Sequence, residues 1–246
     1  MQVLAIDIGN SSIKFGFYEH ERLQKKFSIP TGEVDPRVIA DNAGENVYAA
    51  VISSVVPEME RPVRQAIEDS LGIKAQILRN NWDFGLTIHH QPLETIGTDR
   101  LVNAFSAAHF HKSPCIVCSF GTATTIDFVD KEWNLVGGLI APGLGMGVKA
   151  LHEQTSRLPL VEPDAHPTIL NQTTETAIQA GLLYSQLGLL ETAVDRIWKE
   201  HGSAKIVATG GFASLIAEAG GSIDIIDEDL QLNGINRLFI NRQNSF

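Results

Sequence analysis

The chain has 246 residues, 43% hydrophobic and 20% charged, the balance of a globular protein able to bury a sizeable core. Its formal net charge of −10 and sequence pI of about 5.2 exclude the electrostatic profile of a nucleic-acid or anionic-membrane binder, and no basic stripe offsets that field. Any anionic ligand must therefore be held by local backbone N–H groups or single cations. The opening residues, Met1 to Asp7, lack the basic start, apolar middle and cleavage site of a signal peptide, and no apolar run is long enough to span a membrane. A cytoplasmic protein is expected.

In chain order, Val3 to Ile8 reads as an apolar strand ending at the turn-prone Gly9-Asn10-Ser11-Ser12, and Ile13 to Tyr18 resumes it as a hairpin. Val47 to Val56 is a further strand, stopped by Pro57. Met59, Val63, Ala66, Ile67 and Leu71 then recur at helical spacing, with Gly72 as C-cap, and Ile73 to Leu78 returns to strand. Thr98 and Asp99 suit an N-cap before a helix from Leu101 to Phe110. That helix is apolar on more than one face, so it is either deeply buried or covered by another subunit.

The run Cys115 to Cys118 is a C-x-x-C, but an apolar one. As a strand it would direct the two sulfurs to opposite faces, and no second C-x-x-C completes a zinc site. Ile116 to Ser119 followed by Phe120-Gly121-Thr122-Ala123-Thr124-Thr125-Ile126-Asp127-Phe128 repeats the order of Ile8-Gly9-Asn10-Ser11-Ser12-Ile13-Lys14-Phe15 with one residue inserted, and Ser119 stands where Asp7 stands. A strand–glycine turn–strand unit met twice implies a duplicated α/β architecture, divided as residues 1–112 and 113–246. The second half continues with a strand from Leu135 to Ile140 and a helix from about Val148. An amphipathic helix through Leu183, Leu187, Leu190, Val194 and Trp198 follows, then a strand from Lys205 to Ala208, a short helix to Ala219 and a strand from Ile223 to Ile226. No linker separates the lobes, so tight packing is expected.

Four stretches carry chemistry. Asp7 to Ser12 is either a hairpin turn closed by an Asp side chain or a phosphate loop: glycine admits the phosphate, small hydroxyls and N–H groups surround it, and the carboxylate holds Mg²⁺. Gly121 to Thr125 is a second such turn or simply a Thr-rich strand. In Gly97-Thr98-Asp99-Arg100, Asp99 can take a proton from a substrate hydroxyl and Arg100 can grip a carboxylate in bidentate fashion; the alternative is an N-cap with Arg100 solvated. The glycine-rich turns around Gly137-Gly138, Pro142-Gly143 and Thr209-Gly210-Gly211 precede helices, where anions and flat ligands are favoured. None matches the P-loop or the Rossmann fingerprint. The histidines lack metal-ligand spacing, although His90 lies close enough to Gly97 in sequence to line a substrate pocket.

Taken in order, these motifs resemble the type III pantothenate kinases, of the acetate and sugar kinase, heat-shock chaperone and actin superfamily. The matching residues are Asp7 to Lys14 (DIGNSSIK), Gly97 to Arg100 (GTDR), Phe120 to Asp127 (FGTATTID), Gly137 to Leu151, Thr174 to Gly181, Thr209 to Gly211 and the tail from Asp229 to Arg242. The resemblance implies two ribonuclease-H-like, actin-like lobes with the active site in the cleft between them, in a homodimer. It implies that ATP with Mg²⁺ is used to phosphorylate pantothenate to 4'-phosphopantothenate, the first step of coenzyme A biosynthesis. Asp7, Ile8, Gly9, Asn10, Ser11, Ser12, Ile13, Lys14 and Thr122 would bind ATP. Asp99 would be the general base, and Gly97, Thr98, Arg100 and Thr174, with His90, would contact pantothenate.

Two departures stand out. The family's Asp before the second glycine turn helps hold a monovalent cation, K⁺ or ammonium; here it is Ser119, so no metal ligand is assigned there. Where the family often has a Tyr upstream of G-x-D-R, this chain reads His89-His90-Gln91-Pro92. The competing readings are a sugar kinase of the same superfamily and a weak or inactive relative acting as a regulator, the second favoured by Ser119.

Overall fold

A computed structural model describes residues 1–44 and 46–244. The elements run β1 (Gln2–Ile8), β2 (Ser12–Glu19), β3 (Arg22–Pro30), α1 (Pro36–Asn42), β4 (Val47–Ser54), α2 (Pro57–Leu71), β5 (Ala75–Ile77) and β6 (Thr87–Ile88). Next come α3 (Thr98–Ala107), continued by a π turn over Ala108–Lys112, then β7 (Cys115–Phe120), β8 (Ala123–Val129), β9 (Asn134–Pro142) and α4 (Leu144–Glu153). The chain closes with α5 (Thr174–His201), β10 (Lys205–Thr209), α6 (Ala213–Glu218), β11 (Ile225–Ile226) and α7 (Leu230–Gln243).

These elements form two compact units. The first comprises Met1–Leu86, His90–Ser106 and Asp229–Phe246; the second comprises Thr87–His89 and Ala107–Glu228. The expected division at 112/113 differs from this in one main respect: α7, at the end of the chain, returns to the first unit. Each unit is built on one mixed sheet. The first has strand order β3-β2-β1-β4-β5 and the second β11-β10-β7-β8-β9-β6. In the first, β1 is antiparallel to β2 and parallel to β4; in the second, β7 is antiparallel to β8 and parallel to β10. The duplicated hairpin read from the sequence thus belongs to a duplicated sheet, with β6 added alongside β9 in the second copy.

β1 is buried on both faces, as its unbroken apolar run requires. Leu4, Ile6 and Ile8 join Ile13, Phe15, Ile52, Val63 and Ile67 in a core shared with α1 and α2. The other face of the sheet is covered by α7, which packs on β1, β2 and β4 and bonds to β2, where Tyr18 donates its hydroxyl to Asn233 Oδ1 at 2.8 Å. Three Asn and a Gly make α7 a poor helix by propensity, and burial on nearly every side overrides that preference. Gly234 marks a close approach, since a Cβ there would lie 2.8 Å from Val102 Cγ1 and 3.0 Å from Ser106 Oγ of α3.

That packing answers the question posed by α3. Leu101, Val102, Ala104, Phe105 and Ala107 are 0–3% exposed within the single chain, so the apolarity of this helix needs no second subunit. The helix also begins earlier than expected: Thr98 and Asp99 stand in its first turn, not before it. Cys115 and Cys118 are buried free thiols in β7, opposite Val129 and Ile126, and burial pushes both above the ordinary thiol range. Among the described residues, no helix is long and apolar enough to cross a membrane.

Because Gly234 meets α3 without room for a side chain, Gly234→Val should lower stability by roughly 1–3 kcal/mol through overpacking. Thermal unfolding that leaves the melting temperature unchanged would show that α3 and α7 are not tightly apposed.

Candidate active site

The site in the first unit begins at the carboxyl ends of β1 and β4, parallel neighbours whose register sets Asp7 beside Ser53 and Ile8 beside Ser54. Such strand ends are where open α/β sheets present ligands. Asp7 also faces Lys14 across the β1–β2 pair. The connecting turn is tight. Gly9 donates its N–H to Ser12 O at 3.1 Å, and a Cβ on Gly9 would lie 3.2 Å from that same oxygen. Thr31 braces the turn from β3's end, its hydroxyl donating to Gly9 O at 2.7 Å and its N–H to Ser11 O at 3.3 Å. Asn10 and Ser11 are left exposed, whereas Ile8 and Ile13 are wholly buried in the core. Only the backbone of those two isoleucines can serve a ligand.

The second part of this site is the start of α3. Thr98 donates its hydroxyl to Ser54 O at 3.0 Å and accepts from Ser53 Oγ at 3.2 Å, anchoring the helix to the end of β4. Asp99 follows, its carboxylate accepting the Arg100 N–H at 2.8 Å. A side chain at Gly97 would strike Asp99 Oδ1, so any larger residue there would push the carboxylate out of this position. Arg100 is buried beside Asp99, not solvated. Upstream, His90 Nε2 is 3.0 Å from Thr95 Oγ1, and Asn80 Nδ2 donates to Leu93 O at 2.9 Å and Ile96 O at 2.8 Å, holding the approach to Gly97 in shape.

Asp7 and Asp99 are close enough to feel one another. Burial pushes Asp7 up to about 7; Lys14 opposes this, the Asp99 charge adds to it, and a long hydrogen bond from Gln231 of α7 at 3.4 Å counters in part. Asp99 is also raised, by burial first, with the Arg100 N–H and guanidinium pulling the other way. A pair of half-buried carboxylates within electrostatic reach of each other is a setting in which a divalent cation is welcome. Among the described residues no cluster of three or more His, Cys, Asp and Glu forms a metal cage. A cation here would rest on Asp7 and keep most of its water, the habit of Mg²⁺.

The second unit repeats the hairpin with different chemistry. Ser119 lies opposite Thr125 on β8 and Thr209 on β10. Asp127, 2% exposed, is paired with Val117 two positions back, so it is only a diagonal neighbour of Ser119. The turn Gly121-Thr122 is enclosed by two glycines: Gly143 donates its N–H to Thr122 O at 3.1 Å, and Gly210, at φ +95°, passes against the backbone of Phe120. Thr122 is exposed at the tip. Behind it, buried Gln186 of α5 accepts from Thr124 Oγ1 at 2.6 Å and donates to Pro142 O at 2.9 Å. Thr174 is the exposed first residue of α5, following its N-cap Thr173.

The expected residues therefore group as Asp7 to Lys14, His90 and Gly97 to Arg100 in the first unit, and Ser119, Thr122 and Thr174 in the second. Sequence reading missed Thr31, Asn80, Gln186 and Gln231, all acting through bonds to distant segments. The G-x-D-R and glycine-turn strings point to the loops themselves but not to what holds them.

The Asp7 shift has a consequence for stability without metal. Between the ordinary aspartate value of 3.8 and about 7 the folded chain holds a proton that the unfolded chain releases. The contribution is fully present below the unfolded value and is lost as pH rises through about 7. Asp7→Asn removes this titration, so in a chelator the variant should melt above the wild type at pH 8 and lose that advantage by about pH 4. Calorimetry showing equal melting temperatures at pH 8 would refute it.

Comparison with known proteins fits this arrangement. Residues 3–196 match the model of the type III pantothenate kinase family. A type III pantothenate kinase of Paramagnetospirillum magneticum is 37% identical over 259 aligned residues, covering 99% of this chain and 98% of the relative. One from Brevibacillus brevis is 35% identical, covering 98% and 99%. A Campylobacter jejuni structure named for a Baf family transcriptional activator shares the fold with a TM-score of 0.67 at 18% identity, covering 98% of this chain and 99% of that one. The ADPNP-bound activator of the 2-hydroxyisocaproyl-CoA dehydratase from Clostridium difficile does so at 0.55 and 13%, covering 100% and 97%. With the family model and near-full-length relatives in agreement, the chain belongs to the type III pantothenate kinase family.

Proposed function

We propose that the protein transfers a phosphoryl group from ATP to the hydroxyl of pantothenate, giving 4'-phosphopantothenate, the first step of coenzyme A biosynthesis. The observation that carries this reading is Asp99: a carboxylate made more basic by burial, set in the first turn of α3 with its position fixed by Gly97 and Thr98. A base whose affinity for protons is raised toward the working pH is better suited to take the proton of an alcohol as its oxygen attacks phosphorus.

The remaining roles follow from chemistry. The Gly9 to Ser12 turn offers backbone N–H groups, with the exposed Asn10 and Ser11, to ATP phosphates, Lys14 adds a cation beside them, and Thr122 serves the same purpose in the second unit. Arg100 suits the pantothenate carboxylate, with Gly97, Thr98, Thr174 and His90 as further contacts. Asp7 suits the divalent cation that accompanies ATP, which would supply charge neutralisation at the phosphates, and Asp99 is left to take the proton. A homodimer is read from the family resemblance, not from the apolarity of α3, and the cytoplasm is kept as the expected location. The net charge of −10 weighs against nucleic-acid and membrane partners.

A coupled ADP-release assay with pantothenate, glucose and N-acetylglucosamine tests the reading; turnover is expected with pantothenate alone. Asp99→Asn should lower kcat by roughly 10²–10⁴-fold with the fold intact. Turnover near the wild-type rate would leave Asp99 as a helix-terminus residue only, and turnover on either sugar instead would move the chain to another substrate class.

Monovalent-cation activation should be weak. Ser119 offers a neutral hydroxyl where a carboxylate would supply a full charge, and Asp127 is paired two positions away from it. Turnover measured against K⁺ at constant ionic strength should show little dependence, and Ser119→Asp should strengthen it. Tight, saturable activation of the wild type would show that another group supplies the charge.

A further inference from the structure

The two hairpins share a way of being braced as well as a glycine turn. In the first unit β3 ends at Pro30, paired with Ser12, and the next residue, Thr31, donates its N–H to Ser11 O at 3.3 Å. In the second, β9 ends at Pro142, paired with Ala123, and Gly143 donates its N–H to Thr122 O at 3.1 Å. Thr31 adds a further brace through its hydroxyl, bonded to Gly9 O at 2.7 Å. Gly143 has no side chain to do the same, and a Cβ there would run into Gly121 O and Thr122 O. The second turn therefore excludes the brace that its counterpart has.

Gln186 supplies one from another element. α5 lays Leu183, Leu187 and Leu190 into the core of the second unit, and Gln186 stands among them, 6% exposed. A buried amide is tolerated only where its polar atoms are bonded. Here Nε2 donates to Pro142 O at 2.9 Å, and Oε1 accepts the Thr124 hydroxyl at 2.6 Å. Pro142 O and the Gly143 N–H belong to one planar peptide, so the bond from Gln186 fixes the direction in which Gly143 meets Thr122. Thr124 is itself buried, two residues past Thr122, and pairs with Phe120 and Ala141. One carboxamide thus holds the Gly121-Thr122 turn from both flanks, while Thr122 stays exposed at the tip. The bond from Gly121 N–H to Ala123 O, at 3.1 Å, already closes the hairpin. Further bracing of an exposed turn serves a ligand, which binds best where the groups it meets are fixed beforehand.

We propose that Gln186 is a positioning residue for the nucleotide, acting through the Pro142–Gly143 peptide and Thr124 to fix the Gly121-Thr122 turn against the phosphates. The assignment rests on the kinase reading above, which takes ATP as the ligand of this turn.

Calorimetry of ADPNP binding in the presence of Mg²⁺ tests this without any acceptor substrate. Gln186→Met, of similar length but unable to make either bond, should weaken binding by about tenfold, the worth of one hydrogen bond to a charged phosphate. A pair of variants at Thr124 separates positioning from packing, and decides the matter even where Gln186→Met misfolds. Thr124→Val keeps the shape and loses the hydroxyl, so it should weaken ADPNP binding. Thr124→Ser loses a methyl and keeps the hydroxyl, so it should bind as the wild type does. The reverse order, or undiminished affinity in Gln186→Met, would overturn the assignment. A wild type that binds no ADPNP would overturn it together with the kinase reading, whereas ADPNP binding without pantothenate turnover would sink the acceptor alone.

Discussion

Two carboxylates held within electrostatic reach of each other where protein has displaced part of the water is an arrangement a folding chain normally avoids, because like charges disfavour each other's ionisation. Here Asp7 comes from the end of a central strand and Asp99 from the first turn of a helix 92 positions later, and the chain fixes both. Ile8 O accepts the Val55 N–H at 3.1 Å, tying the strand ends together, and Thr98 bonds to both Ser53 and Ser54. Gly97 keeps clear of the Asp99 carboxylate. Lys14 and Arg100 stand close enough to moderate the charge without neutralising it, since both carboxylates remain raised. A pair compensated only in part retains affinity for a cation and for a proton, the two things a phosphoryl-transfer site must handle.

The repeated sheet shows how one scaffold can be given different chemistry. Both copies place a glycine turn after their central strand, because a phosphate can approach backbone N–H groups only where side chains stand aside. In the first copy the turn is preceded by Asp7 and braced by Thr31; in the second it is preceded by Ser119 and enclosed by Gly143 and Gly210. Charge is thus concentrated in the first unit, while the second offers neutral hydroxyls and amides at its turn. The buried Asp127 sits deeper in its strand, beside Gly138, where added bulk would meet its carboxylate.

Much of this was legible in the residues because it is local. Alternating or unbroken apolar runs located β1, β2, β4, β7 and β10, and the αL residue Gly72, at φ +67°, closes α2 as expected. The hairpins were legible as glycine between strands, and Asp99 as a carboxylate in a G-x-D-R string. Elements held by distant contacts were not. β3 was missed since its run of Arg22, Gln24, Lys25 and Lys26 reads as solvated loop, yet it pairs along the whole of β2. α7 was missed as a helix because its Asn and Gly residues argue against one, and the lobe boundary was misplaced for the same reason: nothing local says that the end of the chain goes back to the beginning. The twofold explanation offered for α3, burial or a partner, could be settled only by seeing α7 lie on it.

The return of α7 also bears on how the site is sustained. Holding Asp7 in a desolvated place costs stability, and the surrounding structure must offset it. The core of Leu4, Ile6, Ile8, Phe15, Ile52 and Ile67 does so on one face of the sheet. On the other face the offset comes from α7, whose Leu230, Leu232, Ile235, Leu238 and Phe239 are at most 3% exposed. The same helix delivers Gln231 to Asp7. Packing and electrostatics are therefore coupled through one element: the apolar residues of α7 hold its first turn against β1 and α3, and that turn supplies a donor to the carboxylate whose burial the helix itself helps to cause. A substitution that loosened α7 would let water reach Asp7 and lower its proton affinity together with the stability of the unit, so the basicity of the site and the integrity of its core cannot be altered independently.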